Sequence, residues 1–528
     1  MKEKFYITTS IAYVNAAPHI GYALEMTQAD VIARYHRLLG ENVYFLTGVD
    51  EHGATNLRAA EKTGKNIKDF VDENTEKFQN LLRALNISND DFIRTSDQNR
   101  HWPGARLLWK KLAVNRDIYK AFYKGLYCVG CEAFITEKDL ANGKCELHGK
   151  EPEIIEEENY FFRLSKYTKE IETRIKNNEL RIIPETRKNE ILSLLKRGLE
   201  DISFSRPSKD ISWGVPVPDD SSQTMYVWCD ALVNYISALG YGASDFQPPT
   251  SNFQLFWPAD LHIIGKDILR FHAAIWPGML LSAGLELPKA IFVHGFITSA
   301  GQKMSKTLGN VVDPFVLAKK FGADGLRYYL TRAIPPFEDG DFTEEKFLEN
   351  YNANLANGLG NLISRVIKMA GDYFEGKIEK PTENISAAIP LTQDINIFLE
   401  KNYEHNRDLE SFSLPYAIDK FIWPKYIEAM ENLELNKAMD IIWSLISITD
   451  KYIDEYKPFI LVKSDKEKTK GILWNLLYCF ASLAWLLEPF LPETSKKIFE
   501  ILNISKESKT KWQDFNIIVL PISLFPRK

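Results

Sequence analysis

At 528 residues the chain exceeds the ~250–300 residues at which one hydrophobic core stops growing, so three or more structural units are expected. With 45% hydrophobic, 26% charged and 12% aromatic residues, the composition is globular and excludes a disordered or fibrous chain. A net charge of −6 excludes a global positive field, so any RNA contact must come from local basic patches.

The N-terminus, Met1 to Lys4, runs straight into the alternation Phe5, Ile7, Thr9, Ile11, with no stretch of signal or transit type. Tyr22 to Leu39 carries apolar residues at helical spacing and closes at Gly40, and Val43 to Thr47 is a compact buried strand. This β-α-β opening is the start of a doubly wound parallel sheet, in which ligands sit beyond the carboxyl ends of the strands. His19 and Asp50 fall just past such ends.

From 116 to 225 the text changes to a Cys/His cluster, an acidic stretch Glu151 to Glu158 and Pro/Trp-rich connections, and reads as an insertion. Sheet-like text resumes at Leu261 to Gly265 and Ile291 to Val293, separated by an apolar helix Ile268 to Ala283. After Phe342 the chain is almost entirely helical. The longest apolar run, Leu476 to Leu487, is shorter than the ~18 residues of a membrane span and reads as a buried helix. The chain stops at Lys528 soon after the extended Ile517 to Leu520, and no appended domain is expected. A cytoplasmic protein without membrane contact fits these features.

Five cysteines, three of them between 128 and 145, do not make a disulfide scaffold. Cys128, Cys131, Cys145 and His148 form two short pairs with the spacing of a closed tetrahedral zinc site. Four protein ligands leave no position for an activated water, so one structural Zn2+ is expected.

Two strings carry the chemistry. Pro18-His19-Ile20-Gly21 places an imidazole donor and a glycine before a helix, whose free N–H groups and dipole favour phosphate. Lys303-Met304-Ser305-Lys306-Thr307 is a lysine loop bounded by Gly301 that would clamp phosphates from the other side. ATP, accompanied by Mg2+, is the expected nucleotide. Trp228, Ala231, Leu232 and Tyr235 share one helical face at i, i+3, i+4 and i+7.

These strings, with Phe45 to Gly53, Tyr226 to Ala231 and Gly265-Lys266-Asp267-Ile268, resemble the methionyl-tRNA synthetase family in order and spacing over nearly the whole chain. The resemblance implies a class I Rossmann-type α/β sheet with a zinc-bearing insertion, followed by an all-α anticodon-binding bundle. The corresponding boundaries are 1–115 and 226–295 for the catalytic domain, 116–225 for the insertion, 296–350 for the lysine loop and stem-contact region, and 351–528 for the bundle. It implies ATP-dependent activation of L-methionine and transfer to tRNA(Met) by a monomer. Glu25, Gly265 and Asp267 would hold the adenosine ribose, and Lys306 the transition-state phosphates. Ile11, Tyr13, Trp228, Ala231, Leu232, Tyr235, Ile268 and His272 would form the methionine slot, with Asp50 on the ammonium. Asn361 and Arg365 match positions that read anticodon bases.

Two positions depart from the family pattern. Tyr22 stands where a second signature histidine is usual, and Phe459 where a stacking tryptophan is usual. Tyr22, a neutral phenol that can donate one hydrogen bond but cannot be an imidazolium, is either a working substitute or the mark of a slow or altered enzyme, and Phe459 is expected to weaken base stacking without abolishing it. The rival readings are another class I synthetase for an apolar amino acid, whose editing insertion would not fit in 116–225, and a non-catalytic RNA-binding paralogue.

Overall fold

The computed structural model describes residues 3–128, 133–135, 140–146, 149–243, 252–304, 310–380, 413–504, 517–518, 524–526 and 528. The chain divides into two compact units, Met1–Arg83 with Ile87–Phe296 and Ala84–Asn86 with Ile297–Lys528.

The first unit is built on a seven-stranded sheet. It contains β1 (Lys4–Thr9), β2 (Ala12–Tyr13), β3 (Asn42–Asp50) and β4 (Asp91–Arg94), with β7 (Arg181–Ile183), β8 (Leu261–Gly265) and β9 (Ala290–His294) from later in the chain. Every pairing is parallel, so helices must cover both faces and the strands read as continuous apolar runs. Ile7 sits in register with both Phe45 and Leu261, at the centre of the sheet. β1 lies between β3 and β8, where the winding reverses, and such a point opens a crevice at the carboxyl ends. Helix α1 (Ile20–Leu38) crosses from β1 to β3, followed by α2 (Ala54–Thr63), α3 (Ile67–Ala84) and α4 (Trp102–Val114).

The segment 116–225 contributes to two sheets. β5 (Ile118–Cys128) and β6 (Glu153–Phe162) pair antiparallel in a separate four-stranded sheet. β7 returns to the main sheet beside β9, so the stretch that reads as an insertion also supplies a strand to the central sheet.

Three elements differ from the sequence expectation. The strand from Phe5 stops at Thr9, and at Ser10 the N–H is shared between the Ile263 carbonyl at 3.0 Å and Glu25 Oε1 at 2.7 Å, with Oγ also on Glu25 Oε1 at 2.7 Å. Ile11 therefore lies outside a strand, and Tyr13 belongs to β2. The stripe Trp228 to Tyr235 is two short helices, α5 (Val227–Ala231) and α6 (Asn234–Ser237), where Asn234 Nδ2 donates to the Ala231 carbonyl at 2.7 Å. The segment Ile268 to Ala283 widens into a π turn over Phe271–Ile275 before α7 (Trp276–Ala283). Pro277 lacks the N–H that a regular helix would aim at the Ala273 carbonyl, and the wider turn relieves that clash.

The second unit is mostly helical. It includes α8 (Asn361–Phe374), α9 (Leu435–Tyr456), α10 (Pro458–Leu461), α11 (Lys466–Leu487) and α12 (Pro492–Leu502). α11 is long and apolar enough to span a membrane, but 94% of its apolar window is buried inside the protein, as in a core helix. Buried Arg327 donates to the carbonyls of Pro489 and Phe490, at the corner after α11, and to that of Leu85, just after α3. Of the expected extended run Ile517 to Leu520, Ile517–Ile518 forms a strand with Lys377–Ile378, and Val519 and Leu520 lie outside the described residues.

Candidate active site

The start of α1 carries the first group of expected site residues. His19 is the N-cap, with extended φ/ψ of −110° and 175°, and its Nδ1 accepts the Gly21 N–H at 3.0 Å. Accepting at Nδ1 puts the ring proton on Nε2, the atom left to donate to a ligand. A Cβ on Gly21 would stand 2.8 Å from His19 Cε1 and 2.9 Å from Nδ1, so the glycine is what allows the ring to fold back over the helix end. The ring keeps an exposed face, yet the protein around it holds its pKa below the usual imidazole value, against an opposing pull from Asp267. A neutral donor at a helix N-terminus suits an incoming polyphosphate.

At the ends of β8 and β9, buried Gly265 is in register with His294, and exposed Asp267 follows in a short 3-10 turn. Glu25 is buried on α1, where Oε1 accepts from Ser10 and Oε2 meets His294 Nε2 at 3.0 Å. His294 Nδ1 faces the Gly295 carbonyl at 2.7 Å. Both ring nitrogens therefore face acceptors, and the ring is an imidazolium. Burial opposes that charge, but the Glu25 carboxylate and the carbonyl outweigh it and raise the His294 pKa. His294 has no signal in the local sequence beyond its place at a strand end.

The second group of expected site residues begins at the close of β3, with Asp50. Asp50 is buried, and its Oδ1 accepts from the His52 N–H and Thr95 Oγ1, each at 3.1 Å. Half-buried Ile11, Tyr13, Trp228 and Ile268 pack against one apolar cluster that includes buried Leu232 and Tyr235, and Ala231 is buried on α5. Trp228 stacks on Phe271 at 3.8 Å with 8° between the planes. His272 Nδ1 donates to the Ile268 carbonyl at 3.0 Å, and its Nε2 accepts the Tyr235 hydroxyl at 2.7 Å. This chain fixes one neutral tautomer, and burial pushes the His272 pKa down to about 4. Apolar and aromatic side chains of this kind suit an amino acid with an unbranched apolar side chain.

The sequence profile described as tRNA synthetases class I (M) matches residues 5–139 and 135–367, and that of the anticodon binding domain of methionyl tRNA ligase matches 417–521. The methionine-tRNA ligase of Thermotoga maritima is 41% identical over 96% of this chain and 77% of its own length, and that of Clostridium perfringens 44% over 98% and 76%. The chain belongs to the methionyl-tRNA synthetase family. A Mycobacterium tuberculosis methionyl-tRNA synthetase in complex with methionyl-adenylate matches the structure with a TM-score of 0.89 at 36% identity, over 99% of this chain and 100% of that one.

Among methionyl-tRNA synthetase features, Tyr22 is a departure that the structure buries. Its ring meets Phe78 edge-on at 4.8 Å, and its hydroxyl, beside Thr47, is buried without a well-formed hydrogen bond among the described residues. Burial raises its pKa, so the phenol is a neutral group.

In the second unit, Lys303 ends a hairpin of β10 (Ile297–Ser299) and β11 (Gln302–Lys303). Its turn uses positive φ at both Ala300 and Gly301, 51° and 73°, the geometry whose twist matches paired strands. Asp341 Oδ1 accepts the Gly301 N–H at 2.7 Å and the Thr298 hydroxyl at 2.8 Å, pinning the base of the lysine loop. Asp341 was not legible from the sequence. Lys306 lies outside the described residues.

Of the four proposed zinc ligands, Cys128 and Cys145 are described; both are buried and share one small cluster with Leu126 and Leu140. Cys131 and His148 lie outside the described residues. Among the described residues no group of three or more ligating side chains is present.

Asn361 opens α8, exposed, with Arg365 one turn on. Arg365 pairs with Asp450 at 2.8 Å and Asp454 at 3.4 Å on α9. Phe459, on α10, is 44% exposed, beyond a turn in which Lys457 takes a left-handed φ of 43°.

Proposed function

We propose that this protein is a methionine-tRNA ligase acting in translation. It condenses methionine with ATP to methionyl-adenylate and pyrophosphate, then transfers the methionyl group to the 3′-terminal adenosine of tRNA(Met). The observation that carries the reading is the match over 99% of the chain to a relative that holds methionyl-adenylate, supported by a helix N-terminus capped by His19 and a buried carboxylate, Asp50, at the end of a parallel strand.

ATP, with its Mg2+ neutralising part of the triphosphate charge, lies with its phosphates at the start of α1 and its ribose by Gly265, Asp267 and Glu25. The methionine ammonium pairs with Asp50 and the thioether enters the slot of Ile11, Tyr13, Trp228, Ala231, Leu232, Tyr235, Ile268 and His272. The methionine carboxylate attacks the α-phosphorus in line, and the α-phosphorus–oxygen bond to pyrophosphate breaks. Catalysis is mostly positioning and charge stabilisation. His19 Nε2–H and the α1 N-terminus meet the charge that builds on the phosphates, and Lys303 and Lys306 are the cations that the lysine loop would add. A ribose hydroxyl of the tRNA terminus then attacks the adenylate carbonyl and releases AMP.

The buried, clustered thiols of Cys128 and Cys145 fit a zinc site completed by Cys131 and His148, where the ion would staple a short segment with little core of its own. Asn361, Arg365 and Phe459 form the anticodon face, Arg365 exchanging carboxylate partners for RNA. The protein works as a cytoplasmic monomer.

The test is amino-acid-dependent ATP-pyrophosphate exchange on zinc-replete protein with all twenty amino acids and homocysteine. Methionine well above the rest is expected, with homocysteine the nearest competitor, since one methylene separates analogues by only ~1–3 kcal/mol. No exchange with any amino acid would overturn the ligase reading in favour of an RNA-binding paralogue.

A further inference from the structure

A buried charged chain next to the amino-acid end is not used by the mechanism above. Asp230 lies on α5 between Trp228 and Ala231, 1% exposed. Its Oδ2 meets His52 Nδ1 at 2.5 Å and its Oδ1 meets His101 Nε2 at 2.7 Å, across sequence separations of 178 and 129 residues. A carboxylate only accepts, so both nitrogens carry protons. His101 Nδ1 is then left to accept the Ser237 hydroxyl at 2.9 Å. His52 and His101 are as buried as Asp230, at 1% and 0%.

The loop end of this chain bears directly on Asp50. The His52 N–H donates to Asp50 Oδ1, and Asn56 Nδ2 bridges the carbonyls of Asp50 and His52 at 2.9 Å each. Trp213 Nε1 holds the Glu51 carbonyl at 2.6 Å. The helix end carries the aromatic wall. A buried ion is costly unless fully paired, and hydrophobic replacements are often as stable, so a lone carboxylate kept here points to a requirement for geometry rather than stability.

We propose that Asp230 and His52 are positioning residues for methionine recognition, tying the loop that presents Asp50 to the helix that presents Trp228 and Ala231. The tie sets the span between the ammonium partner and the side-chain slot, and so the length of amino acid that fits both. The proposal rests on the methionine-site reading above. Burial opposes ionisation of Asp230, but the two imidazoles outweigh it and hold the carboxyl at about 2, so the tie stays charged throughout the neutral range.

The experiment compares His52→Asn, whose side-chain amide keeps a donor where Nδ1 stands, with His52→Leu, which removes it. In pyrophosphate exchange, H52L is expected to raise the KM for methionine ~10-fold or more, the worth of a hydrogen bond to a charged group. The KM for ATP should stay within ~2-fold, and H52N within ~3-fold of wild type on both. Asp230→Asn, which keeps the volume but turns one acceptor into a donor, should show the same split between the two substrates. Equal effects of H52L and H52N, a parallel rise in both KM values, or no change would overturn the proposal. Loss of folding in both H52L and D230N would also overturn it, because the chain would then be holding the whole unit. Wild-type protein that exchanges no methionine would instead remove the functional reading. The tie would then be judged by amide hydrogen exchange over residues 50–56, faster in H52L than in H52N if it exists.

Discussion

Replacing Gly21 by alanine tests the geometry of the phosphate end with little disturbance elsewhere. A methyl group there would sit 2.8 Å from His19 Cε1 and 2.9 Å from Nδ1, so the ring must move by several tenths of an ångström or swing away. The 3.0 Å bond from the Gly21 N–H is then lost, at the ~1 kcal/mol typical of an N-cap. Alanine in place of glycine within a helix returns a similar ~1 kcal/mol, so stability should change by less than ~1 kcal/mol. Activity should not be spared. If His19 Nε2–H meets charge that develops on the phosphates, misaiming it costs about what removal of one transition-state donor costs, ~3–4 kcal/mol or 10²–10³ in kcat. Pyrophosphate exchange and thermal unfolding on the same preparation measure the two effects. His19→Ala should lose a similar factor, and adding Gly21→Ala to it should cost almost nothing more, since the ring is already gone. Additive losses, or a Gly21→Ala enzyme within ~3-fold of wild type, would refute the argument that the glycine serves the imidazole.

At Tyr22, phenylalanine should leave exchange within ~3-fold and stability equal or up to ~1 kcal/mol higher, because the buried hydroxyl has no well-formed partner to lose. Tyr22→His should activate methionine equally fast or faster but unfold at lower temperature, the smaller ring leaving space against Phe78; a large loss of rate would show that the phenol has its own required contact. His272 titrates at about 4 in the folded chain against 6.5 unfolded, so the unfolded chain binds more protons between those values. The contribution of its neutral form is complete above pH 6.5 and is lost as pH falls towards 4, by ~3 kcal/mol. His272→Gln keeps an acceptor for Tyr235 and does not titrate, so its unfolding free energy should lack that limb, and parallel acid profiles would refute the assignment. Metal analysis should find about one zinc per chain, and Cys145→Ala should lower it to near zero with a less stable insertion; full zinc content in that variant would rule Cys145 out as a ligand.

Much of the site could be read along the chain because its parts are local. The helix end capped by His19 needs only that ring and Gly21, two residues apart, and the paired spacings of Cys128 to Cys131 and Cys145 to His148 are equally local, although Cys131 and His148 lie outside the described residues. Apolar runs such as Leu261 to Gly265 identified buried parallel strands for the same reason: their solvent exposure is a property of consecutive residues. The exceptions, at Ser10, Asn234 and Pro277, are places where a side-chain hydrogen bond or a missing N–H overrode the apolar pattern.

Polar partners brought together by sheet order and helix packing were invisible at that level. Glu25 and His294 are 269 residues apart, His52 and Asp230 178, and Gly301 and Asp341 40. No periodicity links such positions, since each pairing exists only once β9 lies beside β8, α5 faces the end of β3, or the β10–β11 hairpin lies beside Gly340–Phe342. The same holds for charge states. His272 is neutral and His294 is an imidazolium, although both begin as one residue type, because one ring faces a carbonyl and a hydroxyl and the other a carbonyl and a carboxylate. Residue order sets which groups are present and the turns they make within a few positions; the folded packing sets which of them are desolvated together, and that pairing decides where protons and charge reside.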